Sequence, residues 1–348
     1  MYNMADKIYR AGVIGLGVMG SIADGLGGKH PIWYRPCSHA DAYGFHPRTE
    51  LVAGSTRDPK RQIMFREKHG DLPVYEDFRR LLEREALDIV SVATPATCHA
   101  EMVIAAVEAG VKGIYCEKAM ATSLAECDAM IVACEKAGAV LAINHQRRWE
   151  DQYRALKKEI DEGVIGDLQS IQLSFGGGRL CRGGSHMFDL ALMFCDDEIK
   201  GGSGWLSDPE ALDPGGIGLF ETQRGIRISI DGSLGMSHQY QGDLIGEKGV
   251  IRIVDGGFEF ELWTMDESSD FGHLAKRHLP MSFPVRNVMI NILDDLVHCM
   301  EEGGQPLDSG YDGRKAFEMI AAIHQSHRQN REFISFPLED RGLVIPSN

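Results

Sequence analysis

The 348-residue sequence has no apolar run that approaches the roughly 18–20 residues of a membrane-spanning helix. Its first residues, Met1 to Lys7, are polar and lack the apolar segment of a secretory signal peptide. Basic residues are also scarce, with 36 Lys and Arg against 51 Asp and Glu. Because nucleic acids and anionic membranes are bound by clustered Lys and Arg, a net charge of −15 argues against both partners.

The eight cysteines form neither a CxxC redox pair nor a His/Cys cluster with zinc-finger spacing. We therefore expect reduced thiols, no bound metal and a cytoplasmic location. The hydrophobic share of 43% and the charged share of 25% are ordinary for a globular protein. A chain of this length usually forms more than one core, so two domains are expected.

Short β-like runs alternate with amphipathic helical stretches through the first half, which is the pattern of βαβ units around a parallel sheet. The runs are 9–15, 50–55, 87–93, 112–116 and 140–144. The helical stretches between them are 59–68, 77–84, 99–109 and 123–137. Ser123 and Glu126 have the spacing of a capping box at the last of these helices. The pattern predicts an N-terminal, doubly wound Rossmann domain.

One stretch interrupts this alternation. Residues 20–50 contain the segment GLGGKHPIWYRPC, with glycines, two prolines and aromatic side chains, followed by a short helical pattern near 38–43. We expect an extended loop at the first crossover of the sheet. Two interpretations stay open, since such a loop either shapes a ligand pocket or is a simple excursion of the chain.

After residue 145 the strands and helices no longer alternate. A helical pattern at 148–162 precedes β-rich runs at 168–175, 218–222, 226–232, 237–241, 249–254 and 258–263, and helices return at 287–302 and 312–328. This order predicts an α/β domain with a large, mostly antiparallel open sheet. We place the boundary after residue 145, with a dinucleotide-binding domain at 1–145 and a substrate-binding and oligomerisation domain at 146–348.

A complete GxGxxG motif follows the first apolar run, in the order Gly15, Leu16, Gly17, Val18, Met19, Gly20. The first glycine permits a tight turn, the second lets backbone approach a pyrophosphate, and the third allows close packing of helix on strand. A helix N-terminus after the motif attracts phosphate through its free N–H groups and dipole. With a strand before it and βαβ units after it, the motif predicts a bound dinucleotide.

The end of the second strand bears on which dinucleotide binds. An acidic residue there accepts hydrogen bonds from the ribose hydroxyls of NAD. Thr56 occupies that position and Arg57 follows it, a pair that suits the 2′-phosphate of NADP. Asp58 weakens this reading, because a small shift in register would offer NAD its carboxylate. NADP is therefore favoured only slightly over NAD.

Two further groups of residues carry candidate chemistry. Lys118 follows the strand at 112–116, and ligands of open α/β sheets bind outside the carboxyl ends of the strands. A lysine there stabilises a developing alkoxide, unless it is a surface residue paired with Glu117. His186 and Asp189 share one helical face if a helix begins there, and an imidazole is suited to accept a hydroxyl proton. A purely structural histidine is the alternative.

Taken together, these motifs resemble the Gfo/Idh/MocA oxidoreductases along nearly the whole chain. The resemblance lies in GVIGLGVMG, ELVAGSTRDP, VSVATPATCHAEMVIAAVEAGVKGIYCEKAMA, AINHQRRWEDQYRALKKEIDEGVIGDLQSI, GGSHMFDL and DSGYDGRKAFEMIAAIHQS. It implies a Rossmann domain followed by an open-sheet domain whose exposed face forms a dimer interface, and hence a homodimer or homotetramer. It also implies reversible oxidation of a secondary hydroxyl on a sugar, cyclitol or related carbohydrate.

The resemblance also implies roles for individual residues. The family's Glu-Lys-Pro motif corresponds to Glu117, Lys118 and Ala119. This makes Lys118 the catalytic lysine and a contact of both cofactor and substrate, and it makes Glu117 a cofactor contact. The family's catalytic histidine corresponds to His186. For Asp189, one helical turn away, two roles stay open: it orients this histidine or it contacts substrate. The cofactor-facing loop after the fourth strand contains Thr94 and Pro95, with His99 just beyond.

Two positions depart from the family pattern. Ala119 replaces the usual proline, and Arg182 stands where many members carry an aspartate four residues before the histidine. The usual Lys–Asp–His relay then lacks its middle carboxylate. Arg182 and Arg179 are candidates to hold an anionic substrate group, with a solvated or ion-paired arginine as the alternative. Arg147, Arg148 and Trp149 are expected at the same cleft, with one arginine facing substrate.

Three functions are consistent with these residues. The first is a dehydrogenase or ketoreductase in which Lys118 and His186 act on a carbinol carbon. The second is a net non-redox glycoside cleavage that passes through a transient ketone, with the cofactor retained. The third is a non-catalytic NAD(P)-sensing protein, which the presence of both Lys118 and His186 disfavours.

Overall fold

A computed structural model of the chain describes residues 7–23, 35–235, 240–266, 268 and 272–347. The loop expected within residues 20–50 falls largely at 24–34, which lie outside the described residues. The short helix expected near 38–43 is present as α1, His39–Phe45, and Ser38 caps it by accepting the N–H of Asp41.

The chain forms two compact units, each built from two stretches of sequence. The first combines Met1–Glu150 with Val285–Gly313, and the second combines Asp151–Pro284 with Arg314–Asn348. The single boundary expected after residue 145 is therefore wrong. Residues of the helix Val288–Glu302 are buried in the core of the first unit, and its Asp295 accepts the indole N–H of Trp149 at 2.8 Å. These contacts hold both segments to the first unit.

The first unit contains a parallel sheet with helices on its connections. In chain order its first stretch has β1 Tyr9–Ile14, α1, β2 Thr49–Ser55, α2 Pro59–His69, β3 Val74–Tyr75, α3 Phe78–Arg84, β4 Ile89–Val92, α4 His99–Glu108, β5 Gly113–Cys116, α5 Leu124–Ala137 and β6 Val140–Ile143. Among the described residues the strand order is β3-β2-β1-β4-β5-β6, the order of a doubly wound sheet. The predicted Rossmann domain is confirmed. The two-residue β3 was not predicted, because it is too short to show a period.

The helix starts follow the side chains that cap them. Asp58 accepts the N–H of Lys60 at the start of α2, and Ser123 accepts the N–H of Glu126 at the start of α5. The capping box expected at α5 is modified. The Glu126 carboxylate accepts the N–H and hydroxyl of Thr122, at 2.9 and 2.7 Å, rather than the N–H of Ser123.

The second unit is dominated by a long sheet. Its first stretch contains α6 Asp151–Asp161, β7 Leu168–Gly176, α7 Ser185–Cys195, β8 Ile199–Leu206, β9 Gly216–Thr222, β10 Arg227–Leu234, β11 Tyr240–Gly246, β12 Gly249–Val254, β13 Glu259–Met265 and β14 Leu274–Arg277. The helix α8, Val288–Glu302, belongs to the first unit. The helix α9, Gly310–Arg328, begins in the first unit and continues in the second, which also contains β15 Ile334–Ser335. Within the described chain the strand order is β14-β13-β12-β11-β7-β10-β9-β8-β15.

This sheet matches the predicted open, mostly antiparallel architecture, with β7 and β10 paired in parallel. The run expected at 237–241 begins at Tyr240, since 237–239 lie outside the described residues. β8 was not predicted, because its glycines hide the strand pattern. Gly202 of β8 is required there, since a Cβ would overlap the ring of Phe220 on β9.

Alternate residues of this sheet face opposite sides. Ile171 and Leu173 of β7 are buried, whereas Gln172 between them is exposed. The cross-strand neighbours on the exposed side form a surface that we call the open face: Leu219, Ser229, Gln172, Asp243 and Arg252. A separate finding concerns membranes: among the described residues, every helix is too short or too polar to cross a bilayer.

Candidate active site

The glycine motif lies in the turn after β1, and its three glycines have different constraints. Gly15 has φ +96°, which side-chain-bearing residues rarely adopt. A Cβ on Gly20 would overlap the carbonyl oxygen of Gly15. Among the described residues, a Cβ on Gly17 would meet only the Arg61 guanidinium, at an ordinary contact distance of 3.5 Å, so this position has room for one. The loop therefore offers bare backbone for a pyrophosphate, which fits a dinucleotide.

The residues between these glycines do not all contact a ligand in the same way. The described chain continues from the loop as a five-residue π-helical turn, Val18–Ile22, rather than a regular α-helix. Leu16 is buried in the core, so its side chain does not reach a cofactor. Its predicted role in cofactor binding is therefore limited to its backbone. Val18 is exposed and Met19 is half-buried. Ser21 is held from α2, where Lys68 donates to its carbonyl at 2.6 Å.

The end of β2 places Thr56 and Arg57 outside the strand, as expected for residues that face the adenosine ribose. Thr56 is half-buried and Arg57 is exposed. Asp58 caps α2 and lies 3.4 Å from Arg61, with its carboxylate turned toward its own helix. The register shift that would make Asp58 a ribose ligand is therefore not observed. Sequence reasoning missed Arg61, which lies in the first turn of α2, shortly after Arg57.

The loop after β4 contains Thr94, half-buried, and Pro95, exposed. His99, predicted as a cofactor contact, is instead fully buried. Its Nε2 lies 2.8 Å from the Thr94 carbonyl, and its Nδ1 lies 3.1 Å from the Ala119 carbonyl. His99 thus ties the loop after β4 to the loop after β5, and direct contact with a cofactor is not its role. Burial lowers the pKa of this imidazole, against the opposing effect of the nearby carbonyls.

The loop after β5 carries Glu117 and Lys118, followed by a cis peptide between Lys118 and Ala119. The Glu117 side chain, predicted to face the cofactor, points inward and is buried. Its Oε1 accepts from Asn144 Nδ2 at 2.7 Å and lies 3.1 Å from His39 Nε2. Its Oε2 accepts the backbone N–H of Lys118 at 3.3 Å. Glu117 is therefore a support for the lysine, while the half-buried Lys118 occupies the predicted position at the sheet edge.

The pKa of Glu117 reflects these partners. Burial alone would raise it, because a charged carboxylate loses its hydration. The hydrogen bond and charge of His39, the charge of Lys118 and the hydrogen bond from Asn144 outweigh burial and lower the pKa to about 2. Glu117 is therefore ionised across the ordinary pH range.

The end of β6 holds an ionic network that sequence reasoning did not find. Asp308 is fully buried and accepts the backbone N–H of His145 at 2.8 Å, with His145 Nδ1 2.9 Å away. Burial raises the pKa of Asp308 well above its usual range, against the opposing charge of Arg148. The only signal in the sequence was the DSGYDG segment, in which Asp308 and Asp312 precede a helix.

Arg148, predicted to face substrate, belongs to this network. Its Nη1 lies 3.3 Å from Asp312 Oδ1 and 3.3 Å from the carbonyl of Leu307, to which it donates. Trp149, expected at a cleft, is fully buried. The expectation for Trp149 is wrong, because a fully buried indole does not line a cleft. Arg148 is ion-paired with Asp312 of α9, and its contact with substrate stays a prediction.

In the second unit, α7 begins at Ser185, which confirms that a helix starts at the predicted histidine. His186 and Asp189 are one turn apart, His186 half-buried and Asp189 fully buried. The turn before them is held by Asp213, whose carboxylate oxygens accept the N–H groups of Cys181 and Arg182, both at 2.9 Å. Arg182 is exposed. Asp213 thus fixes the backbone at Arg182, the position where many members of the family carry an aspartate.

Comparison with known proteins is consistent with this geometry. Residues 9–145 match the model of an oxidoreductase family with an NAD-binding Rossmann fold. The chain is 25% identical over 337 residues to D-apiose dehydrogenase of Paraburkholderia graminis, covering 89% of each protein. It is 26% identical over 345 residues to myo-inositol 2-dehydrogenase of Thermotoga maritima, covering 92% of this chain and 97% of the relative. The aldose-aldose oxidoreductase of Caulobacter crescentus has a similar fold, with a TM-score of 0.78, 22% identity and coverage of 95% and 100%.

Proposed function

Because this chain belongs to the Gfo/Idh/MocA oxidoreductases, we propose that it is an NAD(P)-dependent dehydrogenase or ketoreductase of sugars, cyclitols or related carbohydrates. The observation that carries the proposal is that the glycine loop and Lys118 lie at the same edge of the parallel sheet. The bare glycine loop after β1 and Lys118 after β5 both lie at the carboxyl ends of strands in one parallel sheet. Ligands of such sheets bind at that edge.

When bound, the dinucleotide supplies the hydride acceptor or donor at its nicotinamide ring. Gly15, Gly17 and Gly20 let the chain hold the pyrophosphate through backbone N–H groups. Thr94 and Pro95 border the same edge from the loop after β4. His99 keeps this loop and the Lys118 loop at a fixed separation through its two ring nitrogens.

Two side chains act on the substrate in this proposal. In oxidation, the carbinol carbon loses a hydride and its hydroxyl loses a proton, leaving a ketone. Lys118, as an ammonium, donates a hydrogen bond to the substrate oxygen and stabilises the negative charge that develops there. His186 accepts the hydroxyl proton and returns it in the reverse direction. Arg182, which is exposed, is a further proposed substrate contact, whereas the fully buried Asp189 is proposed to orient His186.

For the choice of cofactor, we propose NADP. Arg57 and Arg61 place two guanidinium groups near the end of β2, and Thr56 adds a hydroxyl donor. Asp58, the carboxylate that would favour NAD, is used as a helix cap. Guanidinium groups match phosphate oxygens in geometry and charge.

We further propose a homodimer or homotetramer that assembles through the open face of the long sheet. Leu219 on that face is 45% exposed and offers an apolar contact to a second subunit. We also propose a cytoplasmic location, which is supported by the eight cysteines, all of them described and all present as free thiols.

The test is a panel of polyols and sugars, assayed for NADP and NAD reduction with the wild-type protein and with Lys118→Ala. The variant is expected to lose turnover by about 100-fold or more while retaining cofactor affinity. Lys136→Ala, which removes an exposed lysine of α5, is the matched control and is expected to behave as wild type. Normal turnover in Lys118→Ala would contradict the role of the lysine. Tight cofactor binding without turnover on any substrate would favour a sensing protein instead.

A further inference from the structure

The loop that leads into α7 is held in place by a second loop of the same unit. We call residues 177–184, between β7 and α7, the histidine loop, because they end just before His186. Four of these eight residues are glycines, and Gly177 and Gly178 have φ values of +98° and +59°. Glycine gives a chain more conformational freedom than any other residue, so this loop needs contacts from outside to keep one conformation.

Those contacts come from the loop between β8 and β9. The two carboxylate oxygens of Asp213 accept the N–H groups of Cys181 and Arg182, both at 2.9 Å. Leu180 donates its N–H to the carbonyl of Pro214 at 3.0 Å. Three successive N–H groups of the histidine loop are therefore bound by two adjacent residues of the other loop.

The Asp213 carboxylate is chemically suited to hold two backbone N–H groups. Its two oxygens accept from two donors at once, and a charged acceptor makes a stronger hydrogen bond than a neutral one. Cys181 is fully buried, so its N–H has no solvent to replace a lost acceptor. Because an unpaired buried N–H is unfavourable, we expect removal of the carboxylate to release this part of the loop.

The anchored segment is continuous with the start of α7. Gly183 and Gly184 donate their N–H groups to the carbonyl of Arg179, at 3.3 and 3.0 Å, which closes the turn just after Arg182. A Cβ on Gly184 would overlap neighbouring atoms, so the backbone is closely packed there. Arg182 lies four residues before His186, and the carboxylate therefore fixes the backbone immediately ahead of the histidine.

We propose that Asp213 is a positioning residue of the active site. By keeping the histidine loop in one conformation, it holds Arg182 and His186 in the places from which they act on substrate. This inference rests on the proposed function in assigning Arg182 and His186 to the reaction. The anchoring of the loop is a property of the second unit and is measurable without turnover.

The second unit offers a matched control at the opposite end of the same helix. The carboxylate of Asp197 also accepts two backbone N–H groups, those of Glu198 at 2.9 Å and Arg224 at 2.8 Å. Asp197 follows the end of α7, whereas Asp213 holds the segment before its start. Asp213→Ala and Asp197→Ala therefore remove comparable hydrogen bonds, and only the first releases the histidine loop.

Hydrogen exchange of the full-length variants, followed by mass spectrometry of their peptides, measures the anchoring. In Asp213→Ala we expect the amides of 177–187 to exchange about tenfold faster than in the wild type, while the strands of the long sheet keep their protection. Asp197→Ala should leave exchange at 177–187 unchanged. Wild-type exchange of this segment in Asp213→Ala would overturn the proposal at its first step.

Steady-state kinetics on a substrate of the wild-type protein measures the consequence for the reaction. Asp213→Ala should lower kcat/KM by about 100-fold, because a small displacement of a reacting group costs that much. The Kd for cofactor should stay unchanged, since the residues proposed to bind it belong to the first unit. Asp213→Asn, which keeps one acceptor oxygen, should recover part of the loss, and Asp197→Ala should keep the wild-type kcat/KM.

A double variant separates positioning from a general loss of stability. In a His186→Ala background, Asp213→Ala should lower kcat/KM much less than in the wild type, because the histidine that it positions is already absent. Losses that multiply in full, or an equal loss of activity in Asp197→Ala, would leave Asp213 with a structural role only and overturn the proposal. If exchange responds as expected but the wild-type protein turns over no sugar or polyol, the anchoring stands and the proposed function fails.

Discussion

The carboxylate of Asp58 accepts the backbone N–H of Lys60 at 2.9 Å and is thereby committed to the start of α2. This leaves the end of β2 without a free acidic side chain within the described residues, and it leaves Arg57 exposed. The position that would recognise the ribose hydroxyls of NAD is occupied by Thr56. We therefore expect discrimination between the two dinucleotides to depend on positive charge.

Replacement of Arg57 by alanine is expected to weaken NADP binding selectively. Loss of one guanidinium–phosphate interaction should raise the Kd for NADP by about tenfold, with little change for NAD. Fluorescence titration of the reduced cofactors measures both constants. Lys60→Ala, which removes an exposed charge of α2 two residues from the cap, is the control. An equal rise in the Kd for NADP and for NAD in Arg57→Ala would show that the arginine does not recognise the 2′-phosphate.

The second and third glycines of the loop should respond differently to alanine. Gly17→Ala has room for its Cβ in the free protein, so we expect a normally folded variant whose cofactor affinity falls by about tenfold or more. Gly20→Ala would overlap the Gly15 carbonyl, so we expect a loss of stability of about 2 kcal/mol or more. Urea unfolding and cofactor titration of both variants separate the two effects. A stable, binding-competent Gly20→Ala protein would contradict this account of the loop.

A buried histidine in the second unit should make stability depend on pH. Burial, together with the charges of Arg328 and His327, lowers the pKa of His324 to about 4. Above the unfolded value of about 6.5 the residue is neutral in both states, and no stability is lost. As the pH falls from about 6.5 to about 4, the unfolded chain takes up a proton that the folded chain does not. Stability should therefore fall across that window, by up to about 3 kcal/mol.

Urea unfolding between pH 7.5 and pH 4 measures this dependence. His324→Leu should flatten it, because the residue no longer titrates. His298→Leu, at an exposed position of α8, should leave the wild-type dependence in place. If the His324→Leu protein loses stability on acidification as steeply as the wild type, another group is responsible.

A charge on the open face should prevent assembly. Leu219→Asp places a carboxylate at the centre of the proposed interface, and burying it unpaired in an oligomer is unfavourable. We expect a folded monomer by light scattering coupled to size-exclusion chromatography. Leu212→Asp, at an exposed residue between β8 and β9, is the control that should keep the wild-type mass. Retention of the wild-type mass by Leu219→Asp would place the interface elsewhere.

Elements with a strong local signal were predictable from sequence. The parallel strands of the first unit are short apolar runs, and helices such as α5 begin at a capping side chain, so both appear in the pattern of residues. The strand β8 did not appear in the pattern, because it is rich in glycine. One of these glycines, Gly202, is required by the ring of Phe220 on a neighbouring strand. The location of α8 in the first unit was also hidden, since an amphipathic period shows that one face is buried but not against which sheet.

The parts of the site in which a motif fixes the backbone were predictable from the sequence. The parts that depend on contacts between distant side chains were not. The glycine loop and the position of Lys118 follow from strand ends, so residue type and spacing were sufficient. The inward turn of Glu117 depends on His39, which lies far away in sequence. Arg148 likewise pairs with Asp312, a residue more than 160 positions along the chain. Such pairings are set by tertiary contacts, which a single sequence does not display.

The split composition of the first unit bears on how the protein is made. Its core includes Met289, Ile292 and Leu293 of α8, which emerge from the ribosome only after residues 151–284. At ordinary rates of translation, that interval lasts on the order of ten seconds. During this time the nascent Rossmann sheet exposes the apolar surface that α8 later covers. A nascent chain of this kind is a natural client for chaperones that shield hydrophobic surface, and a fragment ending at residue 150 should aggregate where the whole chain does not.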